Sequence, residues 1–243
     1  HDNDIPENSV KLKGGMDCQD IFVEVSHGPT LIDNNILLSR YALRIATEGV
    51  GLLHNLILGA FTMVGAGVDG WIEGREQRRY TPYHIRHRTE VAGMMTILHG
   101  DNRFYNNIFV QGYPVTNRES KESPFHQQVG THVWDEYPTY EEWITGFDMD
   151  LPKPDMGKLE PAHFGHLPVW ADGNVYLNGA KAWKKEKHNL VKEDAGVEVR
   201  LQEEDGQYKL ITNLYDYLKD FSTGIITNYY RINMCQLFFS NFI

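Results

Sequence analysis

The chain has little of several things that would fix its class at once. Its 243 residues include only two cysteines, Cys18 and Cys235, near opposite ends. Two thiols make no disulfide framework, and free cysteines fit a reducing compartment, which sets a cytoplasmic location slightly ahead of a secreted one. No apolar run approaches the roughly 20 residues of a membrane helix, so no membrane partner is expected. Basic residues are in deficit: 23 Lys and Arg stand against 33 Asp and Glu, giving a net charge of −10. That argues against a nucleic-acid partner, since binding phosphates takes a basic surface. Long amphipathic helices are scarce, and the regular hairpin signals of a β-sandwich are missing.

What is present is globular. The chain is 41% hydrophobic and 12% aromatic, which excludes disorder. An acidic protein accommodates a neutral ligand such as a sugar. Thirteen Tyr, five Trp and eleven His are compatible with sugar stacking, although aromatics also fill cores.

A short pattern recurs in degenerate form. It reads Ile32-Asp33-Asn34-Asn35-Ile36-Leu37-Leu38, then Leu53-His54-Asn55-Leu56-Ile57-Leu58, then Phe104-Tyr105-Asn106-Asn107-Ile108-Phe109-Val110. A weaker copy is Asp172-Gly173-Asn174-Val175-Tyr176-Leu177. Each places an Asn immediately before an apolar run. Asn tolerates left-handed backbone angles and bonds nearby backbone, so it suits a bend between two strands. Stacked on its equivalents, its amide would form a ladder. The step of 20 residues from Asn35 to Asn55 matches one turn of a β-solenoid. The longer steps to Asn107 and Asn174 imply extra coils or inserted loops. Short apolar strands are expected between the bends, for example over 21–25 and 94–98. The expected fold class is therefore all-β, a parallel β-solenoid.

The chain divides by composition. Residues 1–112 read as coils bearing the active-site face. Residues 113–168, with seven prolines, Trp134 and Trp143, read as an inserted Pro-rich excursion. Residues 169–227 read as a terminal coil with an edge hairpin, in which Asp205-Gly206 joins Val197–Leu201 to Tyr208–Ile211. Residues 228–243 form an atypical tail without acidic residues or glycine.

The segment richest in chemistry runs from Gln19 to Pro29. Glu24 sits between Val23 and Val25 in a strand pattern, so it projects opposite to them. If the valines face the core, Glu24 faces the surface, where clefts form. On pattern alone a solvated surface carboxylate is the plainer reading. Solenoid geometry makes catalysis attractive, because residues stacked on neighbouring coils lie about 4.8 Å apart. Retaining glycosidases hold two carboxyl groups about 5–5.5 Å apart, one as nucleophile and one as acid/base.

Here a resemblance becomes specific. Asp20-Ile-Phe-Val-Glu24-Val-Ser-His27-Gly-Pro29, followed by Ile32–Ser39, resembles glycoside hydrolase family 120. So do His87-Arg88-Thr89-Glu90 and the run from Ile97 to Asn107, and the likeness extends over residues 1 to about 227. The resemblance implies a β-xylosidase, or an α-L-arabinofuranosidase, on a right-handed parallel β-helix with an attached β-sandwich. It implies that Glu24 is the general acid/base of an exo-acting, retaining β-1,4-xylosidase. The family's nucleophile is an aspartate on the preceding coil, in a Trp-flanked strand. The first Trp here is Trp71, and the chain opens on His1 rather than Met. The expectation is a missing N-terminal half that carries the nucleophile and the sandwich, and a chain inactive by itself. Asp2, 22 residues before Glu24, is a stand-in within this chain, set against a polar loop over Asp4–Asp17.

On the same face His27, Arg44, Glu48, His87, Arg88, His99 and Asp101 are candidates for binding an oligosaccharide substrate. A surface ion pair or a satisfied histidine is the plainer role for each. His84, His87 and His99 lack zinc-ligand spacing, so no metal and no cofactor is expected. Two rivals stay open. A β-helix polysaccharide lyase would use Arg86 or Arg88 as base with calcium, but no acidic cluster accompanies them. A non-catalytic glycan-binding solenoid would leave Glu24 without a role.

Overall fold

The structure is a computed structural model that describes residues 19–24, 26, 28–63, 68–72, 75–78, 80–84, 88–115, 128–145 and 165–218. Asp2, His27, Arg86, His87, both cysteines and the 228–243 tail lie outside the described residues.

Among the described residues the structure is mostly β-strands in parallel sheets, with few helices. A first pass makes β1 (Ile21–Glu24), β2 (Thr30–Asp33) and β3 (Ile36–Leu37). A second makes β4 (Tyr41–Ala46), β5 (Val50–Leu53) and β6 (Leu56–Ile57). The third opens with β7 (Ala60–Met63) and detours through β8 (Val68–Ile72), β9 (Arg75–Arg78), β10 (Tyr80–His84) and β11 (Val91–Thr96). It resumes with β12 (Asn102–Tyr105) and β13 (Ile108–Val110). A 3-10 turn (Thr131–Trp134) and a short helix α1 (Tyr140–Ile144) then precede β14 (Val169–Asp172), β15 (Asn174–Leu177) and β16 (Asn189–Lys192). The described chain closes with β17 (Val199–Glu204), β18 (Gln207–Thr212) and helix α2 (Leu214–Leu218).

Equivalent strands of successive passes pair in parallel. They build sheet A (β1-β4-β7), sheet B (β14-β12-β5-β2) and sheet C (β16-β15-β13-β6-β3). Because the register carries over from pass to pass, inward side chains stack in files. Sheet B stacks Ile32, Leu52, Phe104 and Ala171. Sheet C stacks Leu37, Ile57, Phe109 and Tyr176. Between the sheets Phe61 meets Phe109 edge-on at 5.7 Å and Phe104 at 6.3 Å. Trp134, from the 3-10 turn, closes this core against Phe104 at 4.5 Å and is 1% exposed. The inserted segment thus supplies part of the core.

The bend from sheet B to sheet C carries the asparagine ladder. Asn35 donates its backbone N–H and its amide to Asn55 Oδ1, at 3.0 and 3.1 Å. Asn55 does the same to Asn107, and Asn107 to Asn174. The left-handed residue of each bend is one position earlier than the sequence suggests. Asn34, His54, Asn106 and Gly173 have φ of 57°, 56°, 54° and 69°. The ladder asparagines follow them, which frees their amides to reach the next pass.

Two antiparallel hairpins, β8–β9 and β10–β11, interrupt the third pass. Of the run 94–98, expected as a strand between bends, Met94, Met95 and Thr96 instead end β11, which pairs with β10. β17 and β18 pair around Asp205-Gly206, whose φ values of 53° and 74° suit a tight two-residue turn.

Candidate functional site

Glu24 ends β1 on the outer side of sheet A. Ile21 and Val23 pack toward the core, while Phe22 and Glu24 face outward. In register, Phe22 lies beside Arg44 and Glu24 beside Ala46 on β4. The guanidinium of Arg44 sits over the Phe22 ring at 5.0 Å, a cation–π contact that anchors this face. Ala46 itself is fully buried.

Beyond Ala46 the chain turns from sheet A to sheet B. Here three passes stack a residue-plus-glycine turn: Gly28, Gly49 and Gly100 have φ of 69°, 74° and 98°. Thr30 N–H donates to Gly49 O at 3.0 Å, and Gly49 N–H to Gly100 O at 3.1 Å. The turns pack so closely that a Cβ on Gly28 would lie 2.8 Å from Gly49 O, and one on Gly100 2.2 Å from Leu167 O. Such a left-handed, crowded position takes only glycine.

This turn stack gathers several of the residues expected from sequence. Glu48 precedes Gly49, is nearly buried at 9% exposure, and accepts a hydrogen bond from Leu98 N–H at 2.9 Å. Asp101 follows Gly100 and pairs with Arg103 at 2.8 Å, and Arg103 also donates to Asp101 O at 2.7 Å. Burial lifts the Asp101 carboxyl above the ordinary carboxylate value. The Arg103 guanidinium draws it back, and the neighbouring Glu48 carboxylate pushes it up again. Glu48 bridges in parallel register to Gly100, the residue before Asp101.

Other expected residues are placed elsewhere. His99 lies in the turn stack, but it is only 2% exposed and its carbonyl accepts from Leu167 N–H at 2.9 Å. Its ring is core, not surface. Arg88 is exposed in the loop that joins β10 to β11, on a hairpin outside the three parallel sheets. Among the described residues no group of three or more His, Cys, Asp or Glu could hold a metal ion. Among them too, no helix is long and apolar enough to cross a membrane. A shallow hollow lined by Leu58, Val110, Gly112, Asn178 and Arg200 lies between sheet C and β17, and it holds none of the expected residues.

The chain is similar to XylC, a protein solved in complex with xylose. The two are 32% identical with a TM-score of 0.61 over 86% of this chain. The chain spans 30% of the XylC chain. No protein-family model and no curated protein matches. The likeness joins this chain to a protein solved with a bound sugar.

Sequence reasoning missed Arg103, which is 4% exposed and fixes Asp101. It also missed Trp170, whose ring centroid lies 4.2 Å from the Arg103 guanidinium. One available signal was the X-Gly turn repeated at His27-Gly28, Glu48-Gly49 and His99-Gly100.

Proposed function

We propose that this chain carries the acid/base half of a retaining xyloside hydrolase of glycoside hydrolase family 120 type. The fold it uses is a right-handed parallel β-helix, in which each pass described above is one coil. The observation that carries the reading is the position of Glu24: outward at the end of β1, beside Ala46, one pass from the Glu48 turn. The 32% identity to a xylose-bound protein supports the choice of sugar.

Glu24 protonates the leaving oxygen of a terminal β-1,4-xyloside, then takes a proton from the hydrolytic water. The glycosyl-enzyme intermediate forms on an aspartate of the coil before β1. Asp2 is the candidate within this chain, and residues preceding His1 in a longer protein are the other source. In this reading Arg44, Glu48 and Asp101 hold sugar hydroxyls.

The test is Glu24→Gln in the protein that carries this chain, assayed on xylobiose. The reading expects hydrolysis to fall by roughly two to four orders of magnitude, the ordinary worth of a general acid/base. Unchanged turnover would remove Glu24 from the chemistry. The chain by itself is expected to be inactive on an aryl xyloside. If it is active, and Asp2→Ala abolishes that activity, the nucleophile is Asp2.

A further inference from the structure

The returning end of the inserted segment builds an aromatic surface that the hydrolysis chemistry does not use. Trp170, on β14, stands in register with Arg103 on β12. The Arg103 guanidinium lies 4.2 Å from the Trp170 ring centroid, and Asp101 holds that guanidinium in place through two hydrogen bonds. Trp170 is therefore locked on one side. Tyr140, 40% exposed on α1, lies 6.4 Å from Trp170 with an interplanar angle of 25°. Trp143, one turn along α1, extends the run at 6.0 Å from Tyr140.

The helix that presents these rings is firmly seated despite its length. Thr139 and Glu142 form a capping box at its start. Lys185 pairs with Glu142 and donates to Tyr137 O at 2.9 Å. Pro138 O accepts from Val169 N–H at 3.0 Å, which ties the helix approach to β14 itself. Rigid Trp and Tyr rings lose little conformational entropy on contact, and each offers an apolar face with a polar handle.

The run is connected to the candidate catalytic residue by register. Glu24 is beside Ala46; Glu48, two residues on, bridges to Gly100; Asp101 and Arg103 follow; Arg103 is beside Trp170. Three strand spacings separate the pass of Glu24 from that of Trp170, about 14 Å along the stacking direction. That is farther than one sugar ring reaches.

We infer that Trp170, Tyr140 and Trp143 form a stacking platform for the distal units of a neutral xylo-oligosaccharide whose terminal unit reaches Glu24. A pyranose presents an apolar C–H face that suits aromatic rings, and an equatorial hydroxyl edge that suits Asp101. The Arg103 charge is already matched by Asp101, so the site favours a neutral chain over an anionic one. The inference rests on the xyloside reading above, and it gives the 113–168 excursion a role in substrate length.

Isothermal titration calorimetry of the chain with xylose, xylobiose and xylotetraose tests it. Affinity rises with length in the parent chain. In the double variant Tyr140→Ala, Trp143→Ala, xylotetraose binds roughly fivefold to tenfold more weakly while xylose is unchanged within about twofold. Tyr140→Phe, which keeps the ring, binds xylotetraose as the parent does and excludes a folding artefact. Equal affinity for all lengths, no binding at all, or a double variant that binds xylotetraose like the parent would overturn the platform. Ring variants that lose the long substrate while Glu24→Gln leaves hydrolysis intact would keep the platform and remove the xyloside mechanism. The converse pattern removes the platform alone.

Discussion

Asn174 gives both its backbone N–H and its side-chain amide to a single oxygen of Glu186, at 3.2 and 2.8 Å. The ladder runs one way, every rung donating to the next pass, so its last member must accept without donating back. An ionised carboxylate does so. The second Glu186 oxygen accepts from the Tyr176 hydroxyl at 2.7 Å, which leaves the group satisfied though only 8% exposed. Glu186→Ala strands these buried donors and lowers unfolding stability by roughly 2–4 kcal/mol. Urea denaturation measures it, and a loss within error would mean that the ladder needs no terminal acceptor.

The same residue gives the fold a pH signature. Burial raises the Glu186 carboxyl above its ordinary value of 4.5, and raises Asp20 and Asp101 above 3.8, against the hydrogen bonds that lower them. The native state therefore holds these protons more tightly than the unfolded chain. The stability they contribute is complete below the unfolded values and is lost as pH rises through the higher folded values. Glu186→Gln keeps the acceptor oxygen and removes the charge. In urea titrations its stability falls less than the parent's as pH rises above 4.5. Parallel curves for the two proteins would contradict the assignment.

Asn107 tests the ladder from its middle. It accepts from Asn55 and donates to Leu52 O and Asn174 Oδ1, at 2.9 and 3.0 Å. Asn107→Asp keeps the acceptor but turns the donating amide into an oxygen facing two other oxygens. It should destabilise by about 3 kcal/mol or more, and by more than Asn107→Ser. Thermal and urea unfolding of the two variants give the ranking.

Gly100 tests the turn that supports Glu48 and Asp101. With φ of 98° and Leu167 O 2.2 Å from any added Cβ, Gly100→Ala must displace the turn. A loss of roughly 1–3 kcal/mol is expected. Oligosaccharide affinity should fall with it, because Asp101 is the next residue. Gly179→Ala is the control, also at positive φ but with open space around its Cβ.

Some of this was legible in the sequence for clear physical reasons. Asn35, Asn55, Asn107 and Asn174 announced the ladder because one short polar side chain before each apolar run has few other uses. The outward direction of Glu24 followed from strand alternation beside Val23. The hairpins of 68–96 were not legible. Val91 and Met94 are apolar yet each 59% exposed, and a short apolar run does not say whether its partner will be parallel or antiparallel. The burial of His99 was hidden because its role is set by the crowded turn around Gly100. The Arg103–Trp170 contact joins two passes across the inserted segment, a distance in sequence that no local pattern spans.

The proposed role of Glu24 is to deliver and retrieve the proton. It is tested most directly by the kinetics of Glu24→Ala, in the protein that carries this chain, on aryl xylosides of graded leaving-group acidity, with and without azide. The account predicts that the variant still releases the most acidic phenols but fails on poor leaving groups. On those activated xylosides azide should speed turnover and yield a β-xylosyl azide, because it attacks the glycosyl-enzyme without needing a general base. Equal loss on every substrate with no azide product would contradict it.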